Sequence, residues 1–215
     1  MITVWIGYDS QFSANIPKQV ESITRNTSEV TIRFLHLSAL DKILSRPKTE
    51  TQSTDSAFTR WLVPYLSGYE GWHIYMDSDM MVRRDLNDLI QLCDDSKAVM
   101  LVKHPKYKLE QTKFNTKPQT DYDRKFWSSL MVFNASQCKT LTSTYVNTAS
   151  GLDLHQFKWI DDELIGSLPR EWNHLVGCEP PNPNAAIVHW TLGGPWFDEF
   201  KDCEYNQEWL GSRFS

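Results

Sequence analysis

Short apolar runs and amphipathic segments alternate along the first hundred residues. Continuous apolar runs, typical of buried parallel strands, occupy residues 2–8, 30–37, 72–76 and 98–103. Apolar residues at helical spacing or a capping residue predict helices over 12–25, 57–67 and 85–92. This rhythm predicts an α/β fold with a mostly parallel central sheet flanked by helices.

The second half of the chain is less regular. Residues 127–134 and 185–191 predict two further strands. The acidic cluster Asp161-Asp162-Glu163 predicts the start of a short helix that ends near Pro169. Neither an internal repeat nor a linker interrupts the sequence, so we predict one domain over residues 1–215. A role as one module of a longer protein stays open.

Composition and charge restrict the class of function. The chain has 215 residues, 40% of them hydrophobic, so a core can form without disulfides or a structural metal. Its 22 basic and 27 acidic residues give a net charge of −5, which argues against nucleic acid as a partner. Apolar runs are shorter than the ~20 residues that span a bilayer. Four irregularly spaced cysteines and an amino terminus without signal-peptide features predict a cytoplasmic protein with reduced thiols and no transmembrane segment.

The strand at 72–76 leads directly into Asp77-Ser78-Asp79. Open α/β sheets bind ligands at the carboxyl ends of their strands. Two carboxylates there suit Mg²⁺ or Mn²⁺, which would neutralise a diphosphate. The spacing alone carries little information, because a second copy stands at Asp121-Tyr122-Asp123. That copy follows no apolar strand, and we interpret it as solvated surface.

Two other interpretations of the first copy are open. Asp77 could cap the following turn while Asp79 pairs with Arg83 or Arg84. A haloacid-dehalogenase-type phosphatase also begins with a strand and Asp-x-Asp, but Met81 stands where such enzymes usually carry Thr or Val.

Four segments resemble a known family in order and spacing. They are residues 6–11, 58–86 around Asp77, 161–173 and 189–196. Together they resemble the metal-dependent GT-A glycosyltransferases, above all the retaining glycosyltransferase family 8, and the resemblance covers residues 2 to about 197. In length the chain is also similar to a small virus-encoded glycosyltransferase domain. If the chain is viral, we expect the protein in the cytoplasm of the host cell.

The resemblance implies a fold, an activity and a set of roles. It implies a GT-A fold and hexosyl transfer from a UDP-sugar donor to a glycan or other hydroxyl acceptor, with retention of configuration. Mn²⁺, or else Mg²⁺, would be bound by Asp77, Asp79 and His189. The donor would contact Tyr8, Asp9, Gln11, Arg60, Asp77, Ser78, Asp79, Gly193, Gly194 and Trp196. Asp161 would hold an acceptor hydroxyl, and Asp162 would face the anomeric carbon as the reacting carboxylate.

Residue chemistry agrees with this metal set. Two carboxylates and one imidazole leave about three of six coordination positions for diphosphate oxygens and water. The nitrogen ligand favours Mn²⁺ over Mg²⁺. The adjacent Gly193 and Gly194 permit a close backbone approach to phosphate.

The sequence departs from the family at three positions. Gly194 replaces a lysine, so Arg60 or Lys103 would have to neutralise the diphosphate. Trp127-Ser128-Ser129 replaces the usual Asn-Ala-Gly. Asp162 replaces an amide, which leaves an inverting, base-assisted route open.

Two rival functions remain. One is a catalytically silent sugar-nucleotide or glycan-binding module of the same fold. The intact set of Asp77, Asp79 and His189 argues against it. The other is a nucleotidyltransferase, which needs a glycine-rich phosphate loop, and only Gly7 precedes the first turn.

Overall fold

The computed structural model describes residues 1–47, 54, 56–107 and 123–211. Its strands are β1 (Ile2–Gly7), β2 (Val30–Leu35), β3 (Trp72–Asp77), β4 (Met80–Val82), β5 (Val99–Leu101), β6 (Leu130–Asn134), β7 (Ile165–Ser167), β8 (His174–Leu175) and β9 (Ile187–His189). Its helices are α1 (Ile16–Asn26), α2 (Ser56–Thr59), α3 (Val63–Leu66), α4 (Leu86–Gln91), α5 (Ser143–Thr148), α6 (Gly151–His155) and α7 (Asn206–Leu210). Among these helices, none is long and apolar enough to cross a membrane.

Six strands form the central sheet in the order β2-β1-β3-β6-β5-β7. β6 is antiparallel to both of its neighbours, and the other five strands run in one direction. The prediction of a mostly parallel sheet flanked by helices is therefore confirmed. A second, smaller sheet has the order β4-β9-β8. Two residues separate the end of β3 from the start of β4.

The central sheet is buried on both faces. Along β3, Ile74 and Met76 pack into one apolar cluster with Trp172, while Tyr75 packs into another cluster with Trp61. This alternation follows from the two-residue period of a strand. A third cluster, which includes Trp190 and Trp209, packs against the small sheet.

Two predicted helices are present but differ in their details. The first begins at Ile16, after a 3-10 segment over Ser10–Asn15, and carries Pro17 in its first turn. The segment predicted as a helix over 57–67 consists of α2, a 3-10 turn over Arg60–Leu62 and α3. Pro64 lacks the N–H that would bond the Arg60 carbonyl, so the backbone tightens there.

Two predictions for the second half of the chain need correction, and a third is confirmed within narrower bounds. The predicted helix after residue 161 is a 3-10 turn over Asp162–Leu164 followed by β7, which pairs with β5. The strand predicted from residue 127 begins at Leu130, after a 3-10 turn over Trp127–Ser129. The strand predicted over 185–191 is β9, which lies in the small sheet.

Candidate functional site

The candidate metal ligands meet where the two sheets join. Asp77 is the last residue of β3, and Ser78 and Asp79 form the turn into β4. Antiparallel pairing of β4 with β9 places Met80 opposite His189, so the imidazole lies beside the turn. One ligand atom each from Asp77, Asp79 and His189 lies within 4.8 Å of the others.

This geometry suits a single divalent cation. Ligands at about 2.1 Å from an octahedral ion are separated by about 3 Å when adjacent and about 4.2 Å when opposite. His189 Nε2 lies 3.3 Å from Asp79 Oδ1, as expected for adjacent ligands. Carboxylate oxygens and one imidazole nitrogen form a ligand set that Mn²⁺ accepts. The residues therefore fit the implied cation.

Two buried donors hold the Asp77 carboxylate. Arg60 Nη2 lies 3.0 Å from Asp77 Oδ1, and the Tyr75 hydroxyl donates to the same oxygen at 2.5 Å. Arg60 is itself anchored because it donates to the Ser128 carbonyl at 2.7 Å and to the Ser56 carbonyl at 3.2 Å. Burial raises the pKa of Asp77, and the Arg60 guanidinium opposes that rise. Arg60 thus supports a candidate metal ligand, and its contact with a diphosphate stays a prediction.

The predicted nucleoside contacts lie at the end of β1. The Tyr8 ring stacks on His36 with centroids 4.4 Å apart. Asp9 is buried, and its carboxylate accepts from the Gln11 backbone N–H at 2.9 Å, which caps the 3-10 segment that follows. The Gln11 side chain is exposed. Since β1 pairs with β3 and Gly7 is opposite Asp77, these residues share one sheet edge with the carboxylates.

Packing accounts for the glycines and the tryptophan of the last motif. A Cβ on Gly193 would lie 2.5 Å from the Phe200 ring, and one on Gly194 would lie 2.4 Å from the Trp196 ring. Trp196 also makes an edge contact with Phe12, at 6.5 Å between centroids, which ties this loop to the turn after β1. Close approach of the glycine backbone to a phosphate stays a prediction.

The two predicted catalytic carboxylates, Asp161 and Asp162, lie in the segment just before β7, and their role in the reaction stays a prediction. Asp162 interacts with Arg124, in the segment before β6, and with Lys103, which follows β5. Asp162 is exposed and receives two hydrogen bonds from Arg124, at 2.7 and 2.6 Å. These bonds lower the pKa of Asp162. Within the described ranges, the metal-ligand group contains neither residue.

The second Asp-x-Asp copy lies mostly outside the described residues. Asp121 and Tyr122 are not among them, and Asp123 is exposed.

Sequence reasoning missed two functional contacts. The first is the bond from Tyr75 to Asp77, although residues two apart on a strand share a face and could have suggested it. The second is Asn173, whose Oδ1 lies 3.0 Å from His189 Nδ1. No local pattern connects these two residues, since they meet only through the small sheet.

Comparison with solved structures identifies the fold. The bifunctional glycosyltransferase WbbM aligns with a TM-score of 0.67 at 17% identity, over 100% of this chain and 52% of the WbbM chain. The galactosyltransferase LgtC aligns with a TM-score of 0.60 at 9% identity, over 97% of this chain and 94% of LgtC. The chain thus spans about half of WbbM and nearly all of LgtC. It has the GT-A glycosyltransferase fold.

Sequence comparison identifies the family. No family model matches the chain. Protein CDI of Arabidopsis thaliana is 39% identical to this chain over an alignment that covers 96% of this chain and 84% of that protein. The chain belongs to the family of protein CDI.

Proposed function

We propose that this protein is a metal-dependent glycosyltransferase that moves a hexose from a UDP-linked donor to a hydroxyl group of a glycan or another acceptor. One observation carries the proposal: Asp77, Asp79 and His189 meet within 4.8 Å at the carboxyl edge of a GT-A sheet. In such a sheet that edge is the place where ligands bind.

The chain's own residues would bind and orient the donor. Bound Mn²⁺ would supply electrostatic stabilisation of the departing diphosphate. Arg60 and Tyr75 hold the Asp77 carboxylate in one orientation, which lowers the cost of assembling the ligand set. Tyr8, at the same edge, offers an aromatic face to the base.

Asp161 and Asp162 remain our proposal for the acceptor side and the chemical step. Their support is the family resemblance. If Asp162 takes part in the reaction, Asp162→Asn should lower kcat by about 100-fold or more and leave UDP affinity unchanged. Asp153→Asn is a matched control, because Asp153 is also a partly exposed, ion-paired carboxylate, with Lys158 at 2.9 Å. Equal kcat for the two variants would remove Asp162 from the mechanism.

A thermal-shift experiment tests donor binding. We expect UDP and Mn²⁺ together to raise Tm by about 5–10 °C at 100 times Kd, because ligand binding to the folded state adds about 2.7 kcal/mol. EDTA should abolish this shift, and GDP with Mn²⁺ should give a smaller one. A UDP shift that EDTA leaves unchanged would contradict the metal-bridged site.

Turnover separates the enzyme from a silent sugar-nucleotide-binding module. We expect the wild type to release more UDP than Asp79→Ala does. The release is measured for a panel of UDP-hexoses, each with a panel of sugar acceptors. NMR of the product linkage then distinguishes retention from inversion. Tight Mn²⁺-dependent UDP binding with no release above that variant would favour the module.

A further inference from the structure

A chain of buried hydrogen bonds runs from the candidate metal site to the loop before β6. His189 Nδ1 lies 3.0 Å from Asn173 Oδ1, and Asn173 Nδ2 donates to Ser129 Oγ at 2.9 Å. The Ser129 hydroxyl donates in turn to the Phe126 carbonyl at 2.7 Å. His189, Asn173 and Ser129 are each at most 3% exposed, so water does not compete for these bonds.

The direction of each bond follows from the last one. A hydroxyl has one hydrogen, and that of Ser129 is directed to Phe126, so Ser129 Oγ acts toward Asn173 as an acceptor. The Asn173 amide group must then direct its NH₂ to Ser129 and its oxygen to His189. Because an amide oxygen only accepts, the facing nitrogen of His189 must carry a hydrogen.

The other imidazole nitrogen faces the metal ligands. His189 Nε2 lies 3.3 Å from Asp79 Oδ1. A neutral ring with its hydrogen on Nε2 would donate a hydrogen bond to Asp79. The lone pair of Nδ1 would then face a lone pair of the Asn173 oxygen, and that contact would be repulsive. Reversing the amide would restore that contact and would cost the bond from Ser129 to Phe126. Of the two neutral tautomers of His189, the relay therefore favours the one with its hydrogen on Nδ1.

We propose that Asn173 and Ser129 are positioning residues that hold His189 in the Nδ1–H tautomer, so that the Nε2 lone pair is directed at a divalent cation. This inference rests on the proposed function for the identity of the cation. The tautomer itself depends only on the protein. Residues that orient a metal-binding histidine in this way commonly change metal affinity by about 10–100-fold when they are replaced.

The first experiment measures the tautomer without metal. In ¹⁵N-labelled protein treated with EDTA, long-range ¹H–¹⁵N spectra at about pH 8.5, some two units above the ordinary histidine pKa, report which ring nitrogen is protonated. We expect Nδ1–H for His189 in the wild type and a mixture or Nε2–H in Ser129→Ala. Nε2–H in the wild type would overturn the proposal.

The second experiment measures Mn²⁺ affinity in the presence of UDP, by electron paramagnetic resonance of free Mn²⁺. Ser129→Ala and Asn173→Leu should weaken binding by about tenfold or more. Asn173→Asp keeps an acceptor for Nδ1–H and should restore affinity to within about threefold of the wild type. Ser22→Ala is the matched control, because Ser22 is 2% exposed and bonds backbone groups outside the relay.

The outcomes separate this inference from the proposed function. If Ser129→Ala and Asn173→Leu bind Mn²⁺ as tightly as Ser22→Ala does, the relay has no positioning role. If the wild type binds no Mn²⁺ with UDP, the proposed function fails, and the tautomer measurement alone supports or overturns the relay.

Discussion

Arg60 illustrates how a buried cation can hold a candidate metal ligand in place. Its guanidinium is 6% exposed and donates to Asp77, Ser128 and Ser56. A planar group with several fixed donors can hold a carboxylate and two carbonyls together, whereas an ammonium group acts as a point charge. The position of Asp77 therefore depends on an arginine in particular.

We predict that Arg60→Lys weakens Mn²⁺-dependent UDP binding by about tenfold or more, because loss of a supporting contact frees a metal ligand. Isothermal titration calorimetry with UDP and Mn²⁺ measures this loss. Arg33→Lys is the control, since Arg33 is exposed on β2. Equal affinities for the two variants would show that lysine supports Asp77 as well as arginine does.

The two Asp-x-Asp copies give a second prediction. Asp79→Ala removes a metal ligand and should abolish Mn²⁺-dependent donor turnover, while circular dichroism shows an unchanged fold. Asp123→Ala should cost little, because Asp123 is exposed and no apolar run precedes this copy in the sequence. Similar losses of turnover in the two variants would mean that the strand-end setting does not distinguish the sites.

Sequence reasoning predicted the candidate metal ligands but only part of the contacts that support them. Asp77 and Asp79 were predictable because a buried strand ends at them, and His189 because its motif resembles the family. Arg60 was predicted to hold the second Asp together with a phosphate, and its phosphate contact stays a prediction. Spacing alone could not show that its side chain turns inward to Asp77. Asn173 was not connected with His189, because their contact depends on β8 and β9 pairing in the small sheet.

At the scale of elements, β1 and β3 approach closely at the site. Gly7 ends β1 opposite Asp77, and a Cβ there would lie 2.3 Å from the Tyr75 hydroxyl oxygen and 2.7 Å from Ser56 Cβ. Those neighbours form part of the support for Asp77 and Arg60. The absence of a side chain on Gly7 therefore lets the two strands and α2 share one small volume.

We predict that Gly7→Ala lowers both stability and metal-dependent UDP affinity. Overpacking of this kind costs about 1–3 kcal/mol, which corresponds to a fall in Tm of about 2–10 °C for a chain of this size. Gly151→Ala is the control, because its Cβ would meet only the edge of the Phe58 ring, at 3.3 Å. A Gly7→Ala protein with wild-type Tm and affinity would contradict the close approach.

Element length explains which strands could be predicted. β1, β2 and β3 have six residues each, long enough for an apolar run to stand out. β4 and β7 have three residues and β8 has two, too short for a period to be recognised. β5 and β9 also have three residues, but each lies within a longer predicted segment, over 98–103 and 185–191. Around β7, Leu164, Ile165 and Leu168 have a helix-like spacing. Ile165 and Leu168 are instead buried where β7 pairs with β5.

At the scale of the whole molecule, Glu179 links distant parts of the chain. The Tyr107 hydroxyl donates to Glu179, and His104 Nδ1 and His174 Nδ1 lie 3.6 and 3.3 Å from its carboxylate. His174 continues the network to Glu204, at 3.4 Å. This network joins the segment after β5, the small sheet and the carboxyl-terminal region, where packing of Trp190 against Trp209 also contributes.

The two histidines in this network have pKa values displaced in opposite directions. Burial lowers the pKa of His104, and the nearby Glu179 only partly opposes that change. Burial also acts to lower the pKa of His174, but hydrogen bonds to Glu179 and Glu204 outweigh it and raise the pKa. Glu179 itself is buried, which acts to raise its pKa, yet its bonds to His104, His174 and Tyr107 hold that pKa well below the usual range.

The opposite displacements predict opposite pH dependences of stability. Below pH 6.5, the ordinary histidine value, unfolded His104 binds a proton that folded His104 binds less readily, so its contribution falls as pH falls. Folded His174 keeps its proton above pH 6.5, so its contribution is complete below that value and is lost as pH rises through the raised pKa. Each effect is at most about 1.4 kcal/mol per pH unit.

As pH rises from about 6.5 to about 9, we therefore predict that His174→Gln loses less stability than the wild type. As pH falls from about 6.5 to about 5, we predict that His104→Gln loses less stability than the wild type. Urea denaturation at closely spaced pH values gives the free energy of unfolding for all three proteins. Carboxylates outside the network contribute alike to each protein and cancel in the differences, and each variant serves as the control for the other. The pKa of His174 depends on two carboxylates, and that of His104 depends on burial. If the difference in unfolding free energy from the wild type changed with pH in the same direction for both variants, this account of the network would be contradicted.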